Sequence, residues 1–192
     1  MRLVLSSFAG PLRGLLTHQS HVRHPIHLRC GPVHLRSVRA MSTDRLFGPW
    51  PIAPSEIFAT SELSFAFVNL KPIVPGHVLV SPKAVVPRFT GLSSAQVADL
   101  WSLAQRVGSM LEAHYNVESL TLAIQDGPEA GQSVPHVHVH VLPRVKGDFE
   151  PNDAVYDALD AGDVKRNLDE ERVARTAAEM AAEAALYRPY FA

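Results

Sequence analysis

Three histidines alternate with valines in His136-Val137-His138-Val139-His140-Val141-Leu142. An extended strand turns successive side chains to opposite faces. This spacing therefore predicts a strand over 136–142 with His136, His138 and His140 on one face and the valines on the other. Valine-rich segments favour strands, and an apolar face specifies the register. A lone histidine is more often structural, but here the valines already supply a core face, so the triplet points to chemistry. Two chemistries suit it. Imidazoles two apart on a strand can ligate zinc, although the first and third lie about 13 Å apart by strand rise, too far to share one ion without a bend. Alternatively, a neutral imidazole attacks phosphorus to give a phosphoramidate that water cleaves, while its neighbours donate to phosphate oxygens or the leaving group. Upstream, Gly131-Gln132-Ser133-Val134 offers a flexible glycine, an amide, a hydroxyl and free backbone N–H groups. Such a loop can cradle phosphate oxygens without a large positive charge.

The elements that must position these groups are also legible. Leu63, Phe65 and Phe67 alternate with Ser64, Ala66 and Val68, a strand with one strongly apolar face. Pro75-Gly76 marks a turn, and 77–81 reads as the returning strand of a hairpin. Ser93 and Gln96 have capping-box spacing. Val97, Leu100, Trp101, Ala104 and Leu111 follow as an apolar helical stripe that ends by Asn116. Residues 119–125 read as a strand, 146–167 as a polar mobile loop, and 169–187 as an alanine-rich C-terminal helix with acids at its N-terminus. This order predicts an α+β domain with an antiparallel sheet.

Composition narrows the function class. Apolar residues make up 46% and charged residues 19% of the 192-residue chain, an ordinary globular mix with no run long enough to span a bilayer. A single cysteine, Cys30, rules out an internal disulfide framework. The net charge of −1 conceals an asymmetry. Arg2, Arg13, Arg23, Arg29, Arg36 and Arg39 precede the first acid, Asp44, so the remainder is net acidic and poorly suited to gripping a nucleic-acid backbone. Residues 1–40 resemble an organellar transit peptide, with Met41 as an alternative start. The expected location is accordingly cytoplasmic, or mitochondrial if that segment is a targeting signal. Its five histidines (18, 21, 24, 27 and 34) sit at helical spacing, but Pro25 interrupts them.

With these residues in view, the chain is similar to the Fhit branch of the histidine-triad (HIT) superfamily. The resemblance rests on the triad together with Glu62 to Asn69, Lys71 to Val80, the Gln125-Asp-Gly-Pro-Glu-Ala-Gly-Gln132 run and Pro143 to Phe149. It covers about residues 46–192: a catalytic domain over 46–150, a mobile loop over 151–167 and a C-terminal helix within 168–192. It implies an α+β HIT-like fold whose sheet continues across a homodimer. The implied reaction is hydrolysis of diadenosine triphosphate to AMP and ADP. His138 would attack the α-phosphorus, with His136 and His140 flanking the phosphates and His77 supporting them. Asn69 and Gln125 match substrate-contacting positions, and Gly131, Gln132, Ser133 and Val134 match the phosphate loop. Mg²⁺ or Mn²⁺ would accompany the substrate, with no metal held by the protein. Tyr156 falls where the family carries a phosphorylatable tyrosine.

Three features depart from the family pattern: Pro135 directly before the triad, Trp50 in the opening segment and the arginine-rich start. Other readings are a superfamily phosphoramidase, disfavoured by the Gln132 context, and a nucleotidyl transferase, disfavoured by His140. A nucleotide-binding signalling module of the tumour-suppressor kind, with slow turnover, is a third, and a zinc-binding protein a fourth.

Overall fold

The computed structural model describes residues 45–160 and 173–192, all within one unit spanning 40–192. The transit-peptide-like segment 1–40 and residues 161–172 lie outside the described residues.

Two strands form a short hairpin: β1 (Arg45–Phe47) and β2 (Trp50–Ile52). Five more make the main sheet: β3 (Ile57–Thr60), β4 (Ser64–Val68), β5 (Val78–Pro82), β6 (Ser119–Ala123) and β7 (Val139–Arg144). Their order is β3-β4-β5-β7-β6, and every pairing is antiparallel, as expected for α+β. Helix α1 (Ser94–Tyr115) connects β5 to β6. It starts at the predicted capping box, where Ser93 and Gln96 bond each other's main-chain N–H, and stops at Asn116, whose left-handed conformation ends the helical ladder. Among the described residues, two shorter helices follow, α2 (Ala154–Asp160) and α3 (Ala177–Tyr187).

One face of the sheet holds the main core. Val137, Val139 and Val141 pack with Ala66, Val68, Val78 and Val80 against Leu100, Leu103, Val107 and Leu111 of α1 and Tyr187 of α3. The opposite face is covered in two patches. At one end, Phe65, Phe67 and Leu79 pack beneath Phe47 and Ile52 of the hairpin. At the other, Leu142 packs with Val155 and Leu159 of α2.

Several expectations are corrected. Strand β4 is buried on both faces rather than one, because the β1–β2 hairpin roofs its second face. Trp101 lies off the apolar stripe and is exposed; Leu103 and Val107 take that place, since the sheet contacts a broader arc of the helix. The expected mobile loop over 151–167 contains α2, whose Val155 and Leu159 gain an apolar surface to pack on that local composition does not reveal. Of the helix expected over 169–187, residues 169–172 lie outside the described residues, 173–176 are not helical, and the described helix starts at Ala177, where Thr176 and Glu179 form a second capping box. Strand β7 begins at Val139, so His136 and His138 precede the regular ladder while keeping the alternation that sends the valines into the core. The third strand, expected to reach Gln125, stops at Ala123.

Candidate active site

His136, His138, His140 and His77 are all buried on the hairpin side of the sheet. Strand pairing of Leu79 with His140 brings the Pro-Gly-His turn beside the triad. Each ring is held differently, and the hydrogen-bond network assigns its tautomer. His136 Nδ1 accepts from the Gly48 N–H at 3.1 Å. Its Nε2 therefore carries the proton and donates to the carbonyls of Pro82 and Ala84, both at 3.0 Å. Neither nitrogen remains for a metal or a phosphate, so the geometry gives His136 a positioning task. His138 Nδ1 donates to the His136 carbonyl at 2.7 Å, which leaves Nε2 with the lone pair. Ile73 N–H donates to His77 Nδ1 at 3.3 Å, so His77 Nε2–H points to His140 Nδ1 at 2.9 Å. His140 Nε2 then bears a proton, and that atom is buried without a hydrogen-bond partner among the described residues.

Burial keeps the rings neutral. Desolvation pushes the His138 pKa down to about 4, against a partly compensating bond to the His136 carbonyl. Desolvation also lowers His140 well below the ordinary histidine value, reinforced by His138 and His77, and lowers His136. Such a cluster presents at neutral pH an uncharged lone pair on His138 beside an orphan N–H donor on His140, whose rings lie 4.8 Å apart.

The other expected site residues differ in what already holds them. Asn69 Nδ2 lies 3.4 Å from His77 Nδ1 and 3.2 Å from Nε2, while its Oδ1 accepts from Lys71 N–H. Gln125 Nε2 donates to Asp160 of α2, and Gly131 packs close to that same amide. Gln132 braces the loop, accepting from Gly127 N–H and donating to the Pro87 carbonyl. Ser133 is exposed and Val134 half-buried against Gly48. Tyr156 is exposed, but on α2 rather than in a loop.

Sequence reasoning missed the roof. The Phe47 ring lies 4.9 Å from that of His138 and 5.8 Å from that of His136, and Gly48 supplies the bond that orients His136. The only local signal was an apolar pair before Gly48-Pro49. Gly48 has φ +59°, and a Cβ there would meet Val134 Cγ1 at 2.6 Å. Gly48→Ala should therefore cost about 2 kcal/mol in urea unfolding, from left-handed strain and overpacking together. An unchanged midpoint would show that the hairpin tolerates displacement. Trp50, the departure noted in the opening segment, stands exposed on β2 of this roof.

Residues 51–147 match the HIT domain. A relative in Arabidopsis thaliana, a bifunctional bis(5'-adenosyl)-triphosphatase/adenylylsulfatase FHIT, is 53% identical over 160 residues, covering 81% of this chain and 89% of its own. The chain belongs to the Fhit branch of the HIT family. A bis(5'-adenosyl)-triphosphatase of Dictyostelium discoideum is 50% identical over 149 residues, covering 78% of this chain and 94% of its own. The crystal structure of the C. elegans NitFhit protein superposes with a TM-score of 0.64 at 43% identity. That superposition covers 79% of this chain and 31% of the longer NitFhit chain. The antiparallel sheet, long helix and histidine face are thus those of a HIT-like fold. Among the described residues of this Fhit-branch protein, no helix is long and apolar enough to cross a membrane.

Proposed function

We propose that this protein hydrolyses dinucleoside polyphosphates, and diadenosine triphosphate in particular, to AMP and ADP with His138 as nucleophile. The observation that carries this reading is the His138 Nδ1 bond to the His136 carbonyl. It aims a neutral Nε2 lone pair outward and stabilises the positive charge that the ring gains on attack. His138 Nε2 forms a bond to the α-phosphorus as the bond from that phosphorus to the bridging oxygen breaks, releasing ADP. Water then attacks the same phosphorus, the P–N bond breaks, and AMP leaves with His138 restored. The orphan Nε2–H of His140 is suited to donate to a phosphate oxygen as charge develops. The Gly131 to Val134 loop supplies further donors, with Asn69 and Gln125 at the rim. Mg²⁺ or Mn²⁺ enters as part of the substrate, on its phosphates. The names carried by the relatives support the same reaction.

We also propose that the protein is a homodimer. Among the described residues, strand β6 is a sheet edge with Leu122 exposed, and an unpaired edge is a ready surface for a second chain. Tyr156 is accessible to phosphorylation, which would place charge near Arg144 and its Asp148 partner.

The decisive assay is hydrolysis of diadenosine triphosphate with Mg²⁺ in ¹⁸O-labelled water. AMP and ADP should form in equal amounts, with the label in AMP alone, because water attacks the adenylylated histidine. Label in ADP would place attack on the wrong phosphorus. Tight binding without cleavage would favour the nucleotide-binding signalling reading.

A further inference from the structure

We propose that Arg175 is a positioning residue for His140, acting through Asn69 and His77 from the segment that precedes α3. The proposal rests on the reading of His140 as a phosphate donor, and it adds a residue far from the triad in sequence.

Arg175 grips two consecutive carbonyls. Its main-chain N–H donates to Leu70 O at 3.0 Å, and its guanidinium donates to Asn69 O through Nε at 3.0 Å and through Nη2. The remaining Nη1 pairs with Glu183 of α3. Glu183 in turn accepts from Tyr187 O–H at 2.8 Å, and that phenol lies 2.7 Å from the Tyr115 hydroxyl. The ion pair is largely shielded, with the arginine side chain 19% and the glutamate side chain 15% exposed. The C-terminal helix is thereby tied to the main chain of the residue whose side chain reaches His77.

From Asn69 the chain of contacts runs to the triad. The Asn69 amide rests on the His77 ring, His77 Nε2–H donates to His140 Nδ1, and this leaves the proton of His140 on Nε2. The His77–His140 link is directional, while the Asn69 amide packs on the His77 ring and can donate only to Nδ1, beside the Ile73 N–H. A shift of the Asn69 peptide re-aims its amide, leaves the His77 ring less tightly held beside its bond from Ile73 N–H, and weakens the contact that selects one His140 tautomer. Displacements of this size matter, because donors act only within a narrow distance of the developing charge. Arginine suits the task because its planar fork reaches one carbonyl with two donors and still faces Glu183; a lysine ammonium can keep the ion pair but not the fork.

The test compares Arg175→Ala, Arg175→Lys, Asn69→Ala and the Arg175→Ala/Asn69→Ala double variant in the full chain. The readouts are steady-state kinetics with diadenosine triphosphate and imidazole ¹⁵N NMR. Arg175→Ala should lower kcat by about tenfold to a hundredfold while KM changes far less. Arg175→Lys should stay folded through Glu183 and still show most of that kcat loss. In the Asn69→Ala background, Arg175→Ala should have little further effect, because the two residues act in series. The His140 nitrogens should change from one fixed tautomer to an averaged pair of signals in both Arg175 variants. Parental kcat in Arg175→Lys, multiplicative losses in the double variant, or an unchanged His140 tautomer would each overturn the proposal. If the parent protein turns over no diadenosine triphosphate, the functional reading fails, while the NMR arm still decides whether Arg175 positions His140.

Discussion

His138→Asn should lower kcat for diadenosine triphosphate by about 10⁴-fold or more, with KM little changed and the protein still folded. The effect is large because, among the described residues, no second lone pair is poised to replace His138 Nε2: His136 has both nitrogens bonded to main chain, and His140 holds its proton on Nε2. The fold should tolerate asparagine because its amide can still donate to the His136 carbonyl, the bond that Nδ1 makes in the parent. Substrate binding should persist because the loop donors and the His140 N–H are untouched. Single-turnover experiments make the check sharper. Acid-quenched parent enzyme should carry a labile adenylyl group, and the variant should carry none. Near-normal turnover by the variant would rule out covalent catalysis at this residue.

Stability should fall steeply as the pH is lowered from about 6.5 to about 4, by roughly 3 kcal/mol from His138 alone. The sign follows from which state binds the proton. The unfolded chain takes up a proton on this residue near the ordinary histidine value of 6.5, whereas the folded protein resists it until about 4. Over that window the unfolded state binds more protons, so acid favours unfolding, and the contribution is fully present only above 6.5. His136 and His140 are lowered by the same burial and act in the same direction. The carboxylates held low act further down: Asp148, paired with Arg144 and lowered to about 2, loses its contribution only below the ordinary carboxylate range. Urea midpoints measured across pH should therefore bend downward below 6.5, and His138→Asn should show a shallower slope. Equal slopes in parent and variant would mean that His138 titrates normally. The same neutrality predicts that kcat/KM holds well below pH 6.5 before protonation of the nucleophile removes it.

Much of the chemistry is legible in the sequence. The alternation of three histidines with three valines is a local property, and strand geometry alone separates the two faces. The capping box at Ser93 joins partners three residues apart, and the β4–β5 hairpin pairs consecutive strands across one short connection, from Val68 with Val78 outward, so their spacing in the sequence was enough. Asn69, Gln125 and the Gly131 to Val134 loop entered through motif resemblance; of these, Asn69 reaches the His77 ring and Val134 lies against Gly48, whose N–H bonds His136.

What tertiary structure decided is what each of these groups can still do. The bond from Gly48 to His136 spans 88 residues, and it turns the first histidine from a candidate phosphate ligand into a brace. The tautomer of His138 follows from the His136 carbonyl two residues before it, whereas that of His140 depends on the ring of His77, 63 residues away in the chain. The second buried face of β4 and the helix within 154–160 exist because apolar patches on the far side of the sheet need cover, and no local pattern announces the cover. Arg175 reads in sequence as one more arginine in a polar stretch, and only the fold delivers it to the Asn69 carbonyl. Short-range periodicity specifies which face a side chain takes. Which of its hydrogen bonds are already spent, and how far burial moves its pKa, is set by neighbours that only chain folding brings into contact.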